Sequence, residues 1–433
     1  MARALLIAAV ASGQGKTSFT CALAHRLRRQ GRRVRAFKVG PDFIDPCHLA
    51  AVTGAPVHNL DLWMVGEARC AQWLADAARQ ADWLLVEGAM GLFDGSPSAA
   101  DLAARLALPV LAVIDAGAMA ETFGALACGL RAYGAPRRLA WAGVAANRVA
   151  GEAHARMLRD SLPPGMPWLG HLDDGVPRLP ERHLGLVEAH EMQARLPASW
   201  QALDAALHLD LAALQRLPAW HRPASLAPPS APPPLLRGRT VAVARDTAFS
   251  FCYAANLDLL CDLGATVTTF SPLADEAVPP GADALYLPGG YPELHAATLA
   301  RSTRFMTSLR DWHAAGRPLL AECGGMMVCA RTLRDLEGRD HAMAGLLDAT
   351  AEMGTRLAGI GLHAWDTPHG ELRGHVFHYG QLHAHATLVP AARTRPQHHG
   401  RPEAVYRERG LTASFFHACF ASNPEATAAL FGA

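Results

Sequence analysis

The sequence predicts an α/β protein of two domains, each built on a mainly parallel sheet. Three features predict it. Short continuous apolar runs alternate with segments of helical period in both halves, the pattern of strands covered on both faces. A proline-rich stretch, Arg222-Pro-Ala-Ser-Leu-Ala-Pro-Pro-Ser-Ala-Pro-Pro-Pro, separates the halves. A glycine-rich strand–helix junction ending in Gly15-Lys16-Thr17 marks the first half as a P-loop NTPase-type domain.

In the first half the expected strands are Ala4–Val10, Arg33–Val39, Trp83–Glu87, Pro109–Ile114 and Leu139–Ala145. Thr17–Gln30, Glu67–Gln80 and Ala120–Tyr133 carry the helical period. The proline-rich stretch cannot hold a ladder or a helix and reads as a semi-extended linker. This gives a domain over 1–221, a linker over 222–238 and a second domain over 239–433. In that domain Val241–Ala244, Thr266–Phe270, Ala284–Leu287 and Pro318–Glu322 read as strands, Asn256–Leu263 and Thr303–Ala314 as helices.

A chain of 433 residues exceeds one ordinary domain. Its 50% hydrophobic and 18% charged residues exclude a mostly disordered protein. Forty Lys+Arg against 39 Asp+Glu leave a net charge of +1, too little for an electrostatic nucleic-acid binder. The six arginines between Arg26 and Arg35 read as the solvated end of a helix and its turn. No run approaches about 18 uninterrupted apolar residues, so no membrane span is expected. Ala4–Ala11 reads as a buried strand rather than an export signal, because it leads into the phosphate loop. Nine cysteines without a CxxC pair then point to reduced thiols in the cytoplasm.

The loop Val10-Ala11-Ser12-Gly13-Gln14-Gly15-Lys16-Thr17 would cradle phosphates on backbone N–H groups at a helix start. Lys16 would neutralise the β/γ-phosphates, and the Thr17 hydroxyl would ligate Mg²⁺. The strict GxxxxGK[ST] pattern is broken by Val10; the looser variant has Ala9 where its glycine belongs. Four acids fall at strand ends, where ligands of open α/β sheets bind: Asp42, Asp45, Glu87 and Asp94. Singly each reads as a cap or turn residue; together beside a phosphate loop they suit metal or phosphoryl chemistry.

In the second half, Pro318-Leu-Leu-Ala-Glu322-Cys323-Gly324-Gly325 reads as a buried strand, a cysteine and small residues opening a helix. Cys323 is either a nucleophile on a sharp turn or an inert buried thiol. As a nucleophile, its thiolate would be favoured by the helix start. Gly324 N–H would form half of an oxyanion hole and the turn at Gly289-Gly290 the other half. The candidate base is His417, at another strand end. His375 and His378 read either as ligand contacts or as satisfied core residues.

With these residues in place, the chain resembles the cobyrinic acid a,c-diamide synthase family over nearly its whole length. The motifs are FKVGPDFIDP (Phe37–Pro46), VEGAMGLFDG (Val86–Gly95), LPERHLGLV (Leu179–Val187), VAVARDTAFSF (Val241–Phe251), LPGGYPEL (Leu287–Leu294), AECGGMM (Ala321–Met327) and GHVFHY (Gly374–Tyr379). The resemblance implies a dethiobiotin-synthetase-like P-loop domain followed by a class I glutamine amidotransferase domain. It implies ATP and L-glutamine as co-substrates, Mg²⁺ with the ATP, and amidation of the a and c carboxylates of cobyrinic acid in cobalamin biosynthesis. By the same resemblance Gly13, Gly15, Lys16, Thr17 and Asn147 would bind ATP, Asn147 at a position that reads the adenine edge. Thr17, Asp42 and Glu87 would hold the metal; Asp45 and Asp94 would serve substrate or phosphoryl transfer. Cys323 and His417 would be catalytic, Gly290 and Gly324 the oxyanion hole. Where class I amidotransferases often carry a Glu two residues after the histidine, this chain has Cys419.

Hydrogenobyrinic acid and nickel sirohydrochlorin are alternative acceptors. A partitioning-type P-loop switch and a carboxylate ligase without glutaminase are the rival classes. No nucleic-acid or membrane partner is expected, and the sequence is compatible with an oligomer.

Overall fold

The computed structural model describes residues 2–176, 181–182, 185–186, 195–385 and 387–433. The motif Leu179–Val187 lies outside them, apart from a ribbon of Glu181–Arg182 with Gly185–Leu186. The chain divides into two compact units, Met1–Pro229 and Ser230–Ala433, the division falling inside the proline-rich stretch. Among the described residues no helix is long and apolar enough to cross a membrane.

The first unit is an eight-stranded sheet. Its strands are β1 (Arg3–Ala9), β2 (Val34–Val39), β3 (His58–Leu60), β4 (Trp83–Glu87), β5 (Val110–Asp115), β6 (Trp141–Val149), β7 (Trp168–Asp173) and an edge strand, β8 (Leu207–Leu209). The spatial order is β8-β7-β6-β5-β1-β4-β2-β3, parallel except for β8. β1 shows why these runs are uniformly apolar. Leu5 and Ile7 enter one core layer while Ala4, Leu6 and Ala8 enter the layer on the opposite face. On the β8 edge, His208 and His171 lie 2.8 Å and 3.3 Å from the Asp173 carboxylate.

Contacts far apart in sequence close this unit. Trp220 N–H donates to Ala2 O at 2.8 Å, and Arg3 Nε donates to Leu217 O at 3.0 Å. The fully buried Asp204 carboxylate takes ion pairs from Arg26, from Arg29 (2.6 Å) and from His25 (3.1 Å). Arg28 donates to Val52 O, and Arg33 pairs with Asp82. The arginine run is therefore not merely a solvated helix end: several of its donors are spent inside their own unit. The sequence hid this because Asp204 lies some 175 residues away.

The second unit holds a seven-stranded sheet. β9 (Thr240–Ala244), β10 (Thr266–Phe270), β11 (Ala284–Leu287) and β12 (Leu319–Glu322) run in the order β10-β9-β11-β12. The strand Leu411–Ser414 follows in parallel, and two antiparallel strands complete the edge. Again alternate residues feed opposite layers: Ala242 and Ala244 one, Val241 and Val243 the other. Two four-stranded, mostly antiparallel sheets were not expected from the sequence. One contains the hairpin Gly359–Thr367 with Gly370–His378, whose outer strand Phe416–Ala418 carries His417.

Candidate active sites

In the first unit, β1 ends at Ala9 and helix α1 (Lys16–Arg29) begins six residues after Val10. Gly15 has φ +85°, and a Cβ there would stand 2.1 Å from Asn147 Nδ2, so glycine is required twice over. Asn147, on β6, donates from Nδ2 to Gln14 O at 3.0 Å. Gln14 Oε1 accepts the Asp115 N–H at the end of β5. The loop is thus held by the ends of two strands, while Ala11–Gly13 is exposed. Asn147 acts here on the loop itself, a contact the adenine-edge expectation did not include.

Lys16 is buried and its Nζ donates to Ala11 O (3.0 Å) and Met90 O (2.6 Å). Burial, with the neighbouring Lys38 charge, lowers its pKa to about 8. Thr17 Oγ1 donates to Glu87 Oε1 at 2.8 Å. Glu87 is fully buried, and among the described residues its Oε2 has no hydrogen-bond partner. Burial raises its pKa.

Lys38, at the end of β2, ties the acids together, and the sequence reading gave it no role. Its Nζ meets Asp45 Oδ2 at 2.5 Å, Glu87 Oε1 at 2.8 Å and Asp42 Oδ2 at 3.6 Å. Burial alone would depress its pKa, but the three carboxylates outweigh that and hold the ammonium form well above its usual range. Asp45 responds in kind: burial opposes its charge, yet Lys38 holds it down at about 2. Asp42, partly desolvated and facing the Asp45 charge, is pushed up to about 7. Asp42 Oδ1 also accepts the Ile44 and Asp45 N–H groups at the start of the helix Ile44–Thr53. Asp94 is exposed, takes the Gly91 N–H at 2.8 Å, and its charge reaches Lys16. All the acids singled out in the first half therefore gather around the loop, Asp94 doubling as a turn residue.

Lys38→Met is expected to lower stability by about 3–5 kcal/mol at pH 7, the scale for orphaning buried ionic partners. The penalty should shrink toward pH 5, because Glu87 and Asp42 can then neutralise themselves with protons. Chemical denaturation at the two pH values checks both statements.

In the second unit, β12 ends at Glu322 and Cys323 follows with φ +47° and ψ −108°, a strained position for a non-glycine residue. Its N–H donates to Ser414 O at 2.7 Å. The helix Gly324–Cys329 then starts at once. A Cβ at Gly325 would stand 2.1 Å from Leu287 O, and one at Gly324 would be 3.1 Å from Gly290 N. A Cβ at Gly289 would stand 2.5 Å from His417 Cε1 and 3.3 Å from Cys323 Cβ. The thiol, the imidazole and the backbone at Gly289-Gly290 and Gly324 therefore converge, and only glycines leave room for them to do so.

The thiol is not a resting thiolate. Burial and the Glu293 charge push its pKa far up, and the Gly324 backbone hydrogen bond offsets only part of this. The expected helix-start effect is present as the Gly324 hydrogen bond, which favours the thiolate, but burial and the nearby carboxylates outweigh it. His417 is buried too, and burial together with His375 and His378 drives its pKa well below normal. The resting couple is a neutral thiol beside a neutral imidazole.

His417 stacks on His375, with centroids 4.9 Å apart and planes 16° from parallel. His375 Nδ1 lies 2.8 Å from Tyr253 OH. His375 thus belongs to the site, while His378 behaves as a packed core residue, stacked on Phe415 with Nδ1 bonded to Gly380 O. Glu322 accepts Ala418 N–H on Oε1 (3.0 Å) and Tyr286 OH on Oε2 (2.7 Å). Cys419 is buried, and its N–H donates to Arg373 O.

Residues 5–187 match the model of the CobQ/CobB/MinD/ParA nucleotide binding domain, and residues 240–425 that of the CobB/CobQ-like glutamine amidotransferase domain. A hydrogenobyrinate a,c-diamide synthase of Pseudomonas aeruginosa is 51% identical over 99% of this chain and 97% of its own length. The chain belongs to the a,c-diamide synthase family. A hydrogenobyrinate a,c-diamide synthase of Stutzerimonas stutzeri is also 51% identical, over 99% of this chain and 98% of its own. A cobyrinate a,c-diamide synthase of Herminiimonas arsenicoxydans is 47% identical over 99% and 97%. For this member of the a,c-diamide synthase family, the sequence reading missed two polar residues at the centre of the sites, Lys38 and Glu322. Glu322 closes an apolar strand and Lys38 stands one residue before the end of another, so a charged residue in a buried run was the available signal.

Proposed function

We propose that the protein amidates the a and c side-chain carboxylates of cobyrinic acid in cobalamin biosynthesis, using ATP and glutamine. The observation that carries this reading is the full-length match at 51% identity, which spans both domain types. Hydrogenobyrinic acid, the metal-free ring, is the second reading, favoured by the names of the two relatives at 51% identity. The proposed compartment is the cytoplasm.

A carboxylate does not exchange oxygen for ammonia at neutral pH, because its leaving group is poor. Moving the γ-phosphoryl of ATP to the carboxylate makes an acyl phosphate with a good leaving group. In this reading the N–H groups around Gly13 and Gly15 bind the phosphates, with Asn147 bracing the loop. Lys16 supplies positive charge to the oxygens in flight. Thr17, Asp42 and Glu87 form an all-oxygen donor set suited to Mg²⁺, and Glu87 Oε2 has no other partner among the described residues. The metal would supply charge neutralisation on the phosphates. Asp45 and Asp94 remain for the carboxylate substrate or the transferring group.

At the other site Cys323 attacks the glutamine amide carbon while its proton passes to His417. Gly290 and Gly324 N–H groups receive the oxyanion. His417 returns the proton to the departing ammonia, and water then hydrolyses the thioester. His417 should contribute roughly 10²–10⁴-fold as acid and base.

Incubation with each ring acid, MgATP and glutamine, read by mass spectrometry, tests the reading. Conversion of two carboxylates to amides with ADP release is expected. Amide gain on neither ring would overturn it, and the relative rates on the two rings choose between the acceptors.

A further inference from the structure

His417 needs a group that fixes its Nδ1 proton, so that Nε2 is free to accept the proton of Cys323. Two residues beyond it stands Cys419, a thiol with no formal charge to offer. The structure offers a carboxylate from a different strand. Glu322 Oε2 lies 3.9 Å from His417 Nδ1, and the two side chains are 3% and 1% exposed. Catalytic contacts are commonly this long before substrate binds. The carboxylate is also anchored to the strand of its partner, since Oε1 accepts the N–H of Ala418, the residue after His417. Asn256 Nδ2 secures Ala418 O, and Tyr286 OH caps Oε2.

We propose that Glu322 is the positioning residue of His417, a carboxylate that directly precedes the nucleophile and does the work for which position 419 carries none. This rests on the glutaminase reading of Cys323 above. During attack the Cys323 S–H bond breaks, its sulfur bonds to the glutamine amide carbon, and its proton moves to Nε2. The positive imidazolium so formed sits among groups that do not welcome it: His375 and His378 on Gly370–His378. Glu322 supplies the compensating charge, with Nδ1–H donating to Oε2. When the amide C–N bond breaks, the Nε2 proton leaves on ammonia, and Nδ1–H stays with Glu322 throughout.

The protonation state of Glu322 sets which tautomer forms. Burial pushes its pKa up to about 8, against the hydrogen bonds from Tyr286 and Ala418. The titratable groups around it are Tyr286 on β11, Cys252 before the helix Ala254–Asp262, Cys323 and His417. The Glu293 and Glu403 charges also act on the thiol. A protonated Glu322 donates to Nδ1 and forces the proton onto Nε2, the wrong tautomer. An ionised one accepts from Nδ1–H and frees Nε2. Glutaminase kcat should therefore climb as pH rises through about 8.

Glu322→Gln tests this sharply. Ala418 N–H requires an acceptor at Oε1, so the amide NH₂ must occupy the Oε2 position and donate to Nδ1. The mutant is locked in the wrong tautomer at every pH below the alkaline range. The full-length enzyme with this change should lose roughly 10²–10⁴-fold in glutaminase kcat. Its KM for glutamine and its ammonium-dependent amidation should be unchanged, and the kcat limb near pH 8 should vanish. A kcat within threefold of wild type, with the limb retained, would overturn the proposal. Should the variant fail to fold, Tyr286→Phe decides: loss of its hydroxyl makes Glu322 harder to ionise and should move the limb to higher pH, and an unmoved limb overturns the proposal. Failure of the underlying reading looks different, because wild-type enzyme would then hydrolyse no glutamine, or Cys323→Ala would still do so.

Discussion

Replacing Cys323 with alanine is expected to abolish glutamine-dependent amidation and to leave ammonium-dependent amidation at the wild-type rate. The two donors part at this residue because only glutamine must be opened by a nucleophile. Removing an enzymatic nucleophile costs on the order of 10⁶-fold in kcat, so residual turnover with glutamine should be at background. Alanine has the same Cβ as cysteine, and the N–H bond to Ser414 O and the glycine contacts around it do not involve sulfur. The fold should therefore survive. Rates with each donor, together with a thermal melt, check the expectation. If a folded mutant lost both activities, the separation of ammonia release from carboxylate activation would be wrong.

Lys16→Ala should eliminate amidation with either donor, by at least roughly 10²–10³-fold, the scale of losing one preorganised charge at a reacting group. Lys16 begins α1, and its ammonium bridges Ala11 O and Met90 O across the mouth of the loop. Among the described residues, the cation that acts on Lys16 is Lys38, and it cannot stand in. Lys38 is nearby, but it is committed to Asp45, Glu87 and Asp42. The measurement is ATP-dependent amidation with ammonium and with glutamine, accompanied by nucleotide binding. Amidation within tenfold of wild type would remove Lys16 from phosphate chemistry.

What the sequence made legible followed from local chemistry. The buried strands could be read because their neighbours along the chain are apolar on both faces. Trp83–Glu87 and Ala284–Leu287, buried throughout, have the expected bounds, as do the edge strand Thr266–Phe270 and the helix Thr303–Ala314. Lys16, Thr17 and the strand-end acids could be found because a loop, a strand end and a helix start adjoin in sequence. What stayed hidden depends on partners from elsewhere. Two of the carboxylates that stabilise buried Lys38, Asp42 and Asp45, follow it in the same motif, but the fully buried one, Glu87, comes from a strand about fifty residues on. The neutral state of Cys323 follows from burial and from Glu293, about thirty residues earlier in the chain. The hairpin of Gly359–Thr367 with Gly370–His378 has mixed exposure along both strands, so it lacks the continuous apolar run that betrayed the parallel strands.

The bonds joining Ala2 and Arg3 to Leu217 and Trp220, and α1 to Asp204, bear on how the molecule is made. A polypeptide leaves the ribosome N-terminus first and folds domain by domain. Here the start of β1, an interior strand, waits for residues more than two hundred positions downstream to make its last contacts. Until Trp220 is made, the apolar layer it packs into is unfinished, and this contact of long sequence separation is one that local helix formation cannot replace.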